Sequence, residues 1–163
     1  MAFLCHKHRN QLRQLPHLAQ SRWEEWMNRG YEAMETGHWS IAIAHFGCCY
    51  EISEMLLDFT GDDRTDWGLG RLDQLMLAGH LLAESLGRDG KTDLERHYLL
   101  AVHHHLTHPA APVGGPQLRK NLEISLLMLR RHCRHHGEFK GFAACLARTS
   151  ELLREHPRQA ALH

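Results

Sequence analysis

The chain has 163 residues, about one domain's worth, and a domain of that size buries roughly 70% of its unfolded surface in a single core. Apolar residues make up 43% and charged residues 23%, which describes a folded globular protein and excludes the disordered and fibrous classes. Nineteen Lys and Arg balance nineteen Asp and Glu, and this argues against a general polyanion binder, whose affinity rests on cations neutralising phosphates.

The opening run Met1–Arg9 meets charge before a signal-peptide apolar core could form, and no run approaches the roughly 18 apolar residues of a membrane span. A cytoplasmic protein with no membrane partner is expected. Leu4, Cys5, His8, Leu12 and Leu15 share one face of a first helix, which Pro16 should end. Ser21-Arg22-Trp23-Glu24 reads as a capping box opening a second helix, closed at Gly37. A third runs from about Trp39 to Phe59, with Gly61-Asp62-Asp63 as the next turn. From about Thr65 to Leu86, the leucines at 69, 72, 75, 82 and 86 together with Met76 repeat at helical spacing until Gly87.

Thr92-Asp93-Leu94-Glu95 is a second capping box, opening a helix to about Thr107. Pro109 to Pro116, with three prolines and two glycines, is a linker. A sixth helix spans about Gln117 to His136 and ends at Gly137, and a seventh continues through about Glu155, before Pro157. The expectation is an all-α single domain over residues 1–163. Six of the seven helices pair into three hairpins, preceded by one extra helix.

Equal helix-turn-helix segments call for a repeat test. In the first hairpin, about 23–56, Trp26, Gly30, Gly37, Trp39, Ala42, Ile43, Phe46 and small Cys49 stand at the spacings of a tetratricopeptide repeat, which the segment resembles. Small residues at 30 and 42 let two helices approach, and the aromatics fill the wedge between hairpins. The second hairpin is degenerate, with Gly79 and Gly87 in the glycine positions but Tyr98 and Ala101 displaced. The third keeps Gly137 and Phe139 but has Arg130 and Phe142 where glycine and alanine belong. In length and in its extra N-terminal helix the chain is also similar to the small chaperones of bacterial type III secretion translocators, although those are typically acidic.

The resemblance implies stacked hairpins whose first helices line a concave groove that binds a peptide or helix of another protein, in adaptor or chaperone work without catalysis. Carried onto this sequence, the groove positions are Glu24, Met27, Tyr31, Met34 and Glu35 in the first hairpin. The second supplies Asp73, Met76, His80 and Glu84, and the third Leu127, Arg131, Arg134 and His135. Methionine and tyrosine make an adaptable apolar floor, and arginine offers a fork for a carboxylate or phosphate.

Sixteen histidines and five cysteines carry the remaining chemistry. An odd cysteine count without a secretory signal points to free thiols, a metal site or a reactive residue, not a disulfide framework. Two Cys-x-x-His pairs, Cys5/His8 and Cys133/His136, would together make a four-ligand zinc set. His97, His104 and His108 share a helix face, the last two at a spacing that can pinch a metal. No phosphate-cradling, dinucleotide or nucleophile-elbow glycine pattern is present, so no enzyme class has positive support. The expectation is a cofactor-free binding module. The rival readings are a zinc- or redox-responsive regulator using the Cys/His pairs, and a nucleic-acid-binding regulator using the basic run Arg130–His136. The apolar face of the first helix could pack within the monomer or across a homodimer.

Overall fold

The computed structural model describes residues 2–59, 68–108 and 115–156. Within them the chain is all-α: α1 (His6–Gln14), α2 (Pro16–Glu35), α3 (Trp39–Leu57), α4 (Arg71–Arg88), α5 (Thr92–Thr107), α6 (Gly115–His136) and α7 (Phe142–Glu155). No helix among them is long and apolar enough to cross a membrane. The expected turn at 61–63, the start of the fourth helix near 65 and most of the 109–116 linker lie outside the described residues. The contacts divide the chain into two compact units, Met1–Tyr98 and Leu99–His163, with the boundary inside α5.

Three helix ends differ from the sequence expectation. Pro16 does end α1, but it also starts α2 one residue later, at the position where its missing N–H costs nothing and its fixed φ suits a helix. Ser21 is therefore inside a helix already under way and caps nothing. At α5 the Glu95 N–H bonds to the Lys91 carbonyl at 3.0 Å, so Thr92 is the first helical residue and not the cap. Between α4 and α5, Gly90 takes the left-handed turn with φ +76°. Gly87 stays helical and serves a close approach, because a β-carbon there would stand 2.8 Å from the Glu95 carboxyl.

In the first unit α3 is the centre. It packs along α2 on one side and α4 on another, and α1 touches both α2 and α3. Its buried set, which includes Ile43, Phe46, Cys49, Ile52 and Leu56, goes round the helix and is not confined to a stripe, the pattern of an interior helix. α2 by contrast buries one stripe, Ala19, Trp23, Met27, Gly30 and Ala33, at spacings of three and four. The α2–α3 seam is closed by a polar relay. Trp23 Nε1 donates to Ser53 Oγ at 2.8 Å, Ser53 Oγ donates to the Cys49 carbonyl at 2.9 Å, and Cys49 Sγ donates to the Trp23 carbonyl at 3.4 Å.

In the second unit, the end of α5, α6 and α7 bury Val102, Leu106, Leu122, Leu129 and Leu152. The Arg119 guanidinium on α6 donates Nη1 to the Leu153 and His156 carbonyls at 2.6 and 2.8 Å, which satisfies acceptors that the end of α7 leaves without helical partners. A buried polar trio lies deeper. His103 on α5 meets Ser125 Oγ on α6 through Nδ1 at 3.0 Å and Thr149 Oγ1 on α7 through Nε2 at 2.8 Å. Thr149 spends its own proton on the Cys145 carbonyl, 2.8 Å away, so Nε2 of His103 carries the donated proton and Nδ1 accepts from Ser125.

Candidate functional site

The groove positions expected on α2 fall into two groups. Glu24, Tyr31 and Met34 are half-buried and Glu35 is exposed, so these four leave atoms at the surface along one stripe. Met27 has no exposure at all. It stands four residues after Trp23 and three before Gly30, on the stripe that faces α3, and so is a core residue. Met76 on α4 is likewise core, because it shares the buried row of Leu72, Gly79 and Ala83. Neither methionine has a surface to offer a partner. Asp73, His80 and Glu84 on α4 are half-buried.

The head of the α2 stripe is tied to α4. Gln74, fully buried, donates Nε2 to Gln20 Oε1 at 2.9 Å, and Gln20 in turn donates Nε2 to Glu24 Oε1 at 3.1 Å. Further along, the Tyr31 ring stands edge-on to Phe46 with centroids 5.7 Å apart. Partial burial of its phenol pushes the hydroxyl above the ordinary tyrosine range, so Tyr31 stays a neutral donor. The result is a mixed edge of one aromatic, one thioether and two carboxylates beside the stripe that α2 seals.

In the second unit, Arg131, Arg134 and His135 are exposed. Leu127 is 58% exposed and Ile124 37%, both high for large apolar side chains. Ile124, Leu127, Arg131 and Arg134 fall three, four and three residues apart, an outward row of two apolar and two cationic side chains on α6. The sequence reading placed Leu127 and the arginines together there but did not include Ile124.

The Cys/His pairs differ from each other. Cys5 Sγ lies 3.3 Å from His8 Nδ1, and both residues are exposed in the first unit. Within that unit, among the described residues, no third Cys, His, Asp or Glu donor joins them. Cys133 is buried in the second unit, where desolvation raises its thiol, while His136 is exposed and its ring lies 4.8 Å from that of His132. On α5 the exposed rings of His104 and His108 stack at 4.5 Å, and His108 Nδ1 contacts Thr107 Oγ1 at 2.9 Å. His97 stands edge-on to Tyr98 at 5.0 Å in the first unit. Cys48 is pushed to about 11, and Cys49 well above the thiol range, chiefly by burial. Neither is an activated nucleophile.

Sequence reasoning missed the N-terminal anchor. Glu51, buried on α3, accepts the Phe3 N–H on Oε1 at 2.8 Å, and on Oε2 the Leu4 N–H at 3.0 Å and Arg9 Nη2 at 2.8 Å. The available signal was a glutamate near the end of the apolar run Gly47–Ile52, because a carboxylate on a buried helix needs partners. Against this geometry, no protein-family model matches the chain, and neither a curated protein nor a solved structure matches it significantly.

Proposed function

We propose that the chain is a tetratricopeptide-like interaction module that binds a peptide or helix of another protein and carries out no catalysis itself. One observation carries the reading: α2 keeps Glu24, Tyr31 and Glu35 partly at the surface on the flank of the stripe sealed against α3, with half-buried Met34 at the end of that stripe. The local packing agrees with the resemblance, since Gly30 lies against Phe46 and Gly37 takes the turn with φ +72°. Tyrosine supplies rigid contact area at low ordering cost and methionine an adaptable one, and the flanking carboxylates select a partner segment with cations beside its apolar residues. The outward row on α6 has the opposite sign and suits an acidic segment.

The test is a photo-reactive amino acid at Glu35 in the full chain, irradiated in extract of the native cell. A discrete cross-linked partner is expected, and Tyr31→Ala with Met34→Ala should cut its yield at least tenfold with the helical spectrum retained. Unchanged yield in that folded double variant overturns the α2 assignment.

A further inference from the structure

We infer that the notch formed by Gly47 and Glu51 of α3 with Tyr98 of α5 is a peptide-binding site for an aromatic–aliphatic dipeptide with a bent backbone, held in this structure by the chain's own Phe3-Leu4. The site is distinct from the α2 face and does not depend on that reading.

The contacts are of the kind that recognise a peptide. Both Glu51 oxygens are used, one for each of two consecutive main-chain N–H groups, which can point the same way only because the backbone bends at Leu4, so the carboxylate reads a bent backbone whatever its side chains. Side-chain choice comes from the floor. The Phe3 ring lies against the bare backbone of Gly47, where a β-carbon would collide with it, and 6.2 Å from the Tyr98 ring. Tyr50 braces Tyr98 edge-on at 5.4 Å. Leu4 is 5% exposed, so the second residue is also enclosed. The third element is a cation, Arg9 on Glu51 Oε2, five residues past Leu4 and in α1, which a partner with a basic residue in a helix following its dipeptide would reproduce.

The occupant is held lightly from behind. α1 has nine residues, too short to be stable alone, and buries only Leu12. Its seam with α3 is an open cleft of about 460 Å³ between Arg9 and Arg13 on one side and Glu54 and Asp58 on the other. Lifting residues 2–14 therefore exposes the notch while leaving the α2–α3–α4 packing in place. The partner has the chemistry that the internal segment displays: an aromatic residue, an aliphatic residue at a bend, and a cation in the first turns of the helix that follows.

The probe is a fluorescein-labelled peptide of residues 2–14 with Cys5→Ser. In the full chain, Phe3→Ala with Leu4→Ala should weaken the internal occupant, and the peptide should bind that variant at least tenfold more tightly than the wild type. Adding Glu51→Gln, whose amide offers one acceptor oxygen and a clashing donor, should abolish binding with the helical spectrum retained. Equal binding to wild type and double variant, or none to a folded double variant, overturns the proposal, as does peptide binding that survives Glu51→Gln. Amide exchange in the wild type covers failure of the variant to fold. The Phe3 and Leu4 amides should exchange at least tenfold faster than those of Ile52 and Ser53, and equal protection would show a permanently fixed segment. Dimerisation of the double variant in place of peptide capture would assign the notch to a second copy and also overturn the proposal.

Discussion

Phe46 lies where a side chain on Gly30 would have to be: a β-carbon at residue 30 would stand 2.5 Å from the ring. The two helices of the first hairpin owe their separation to that one missing methyl group. Both residues are buried and Phe46 has no exposure, so the ring has little room to retreat. Gly30→Ala gains about 1 kcal/mol of helix propensity and loses roughly 1–3 kcal/mol to overpacking. The expected result is a net loss of stability, read as a lower urea midpoint. A gain would mean that Phe46 moves freely and that the close approach is not required.

Acid should weaken the second unit through His103. Burial holds its imidazole neutral down to about 4, against about 6.5 in the unfolded chain. The unfolded state therefore binds the extra proton first, and stability falls as pH drops from about 6.5 to about 4, with no further change below. Between pH 7 and pH 5 this residue accounts for about 2 kcal/mol. His103→Gln, which keeps a donor and an acceptor, should lose that part of the pH dependence in urea titrations. An identical slope in the variant would show that folding leaves the proton affinity of His103 unchanged.

Ser53→Ala removes the acceptor for the fully buried Trp23 indole N–H and should cost about 1–3 kcal/mol. Ser53→Thr, which keeps the hydroxyl, should recover part of it. Thermal melts of the three proteins decide the point, and no difference between alanine and wild type would show that the relay contributes nothing.

The five thiols should react in a fixed order. Cys5 is the exposed one, Cys49 is fully buried, and both Cys48 and Cys49 are held protonated at neutral pH by desolvation. Brief alkylation at pH 7.5 followed by mass spectrometry should find label at Cys5 first and at Cys49 last. Early labelling of Cys49 would mean that the α2–α3 seam opens on the labelling timescale.

Much of the helix plan was legible because it rests on local rules. Periodic leucines, Pro16 and the glycine turns placed seven helices, and the ends that moved did so where two signals competed. Ser21 offered a capping box, yet Pro16 had already begun the helix. Gly87 and Gly90 both offered a turn, and only Gly90 was free of packing, since Gly87 faces Glu95. The site was less legible because burial is a property of neighbours. Met27 and Tyr31 are one turn apart on α2, and nothing in the residue types says that the first is sealed and the second half open. Glu51 and Phe3 are 48 positions apart, and only the packing of α1 on α3 brings them together.

The trio of His103, Ser125 and Thr149 bears on how uniquely the second unit is assembled. Leucines on three helices could interdigitate equally well after one helix slid by a turn, because each apolar contact is much like the next. A hydroxyl, an imidazole and a second hydroxyl cannot, since any axial slip strands all three away from water. Three polar side chains thus fix the rotational phase of α5, α6 and α7, a task for which the surrounding leucines are too interchangeable.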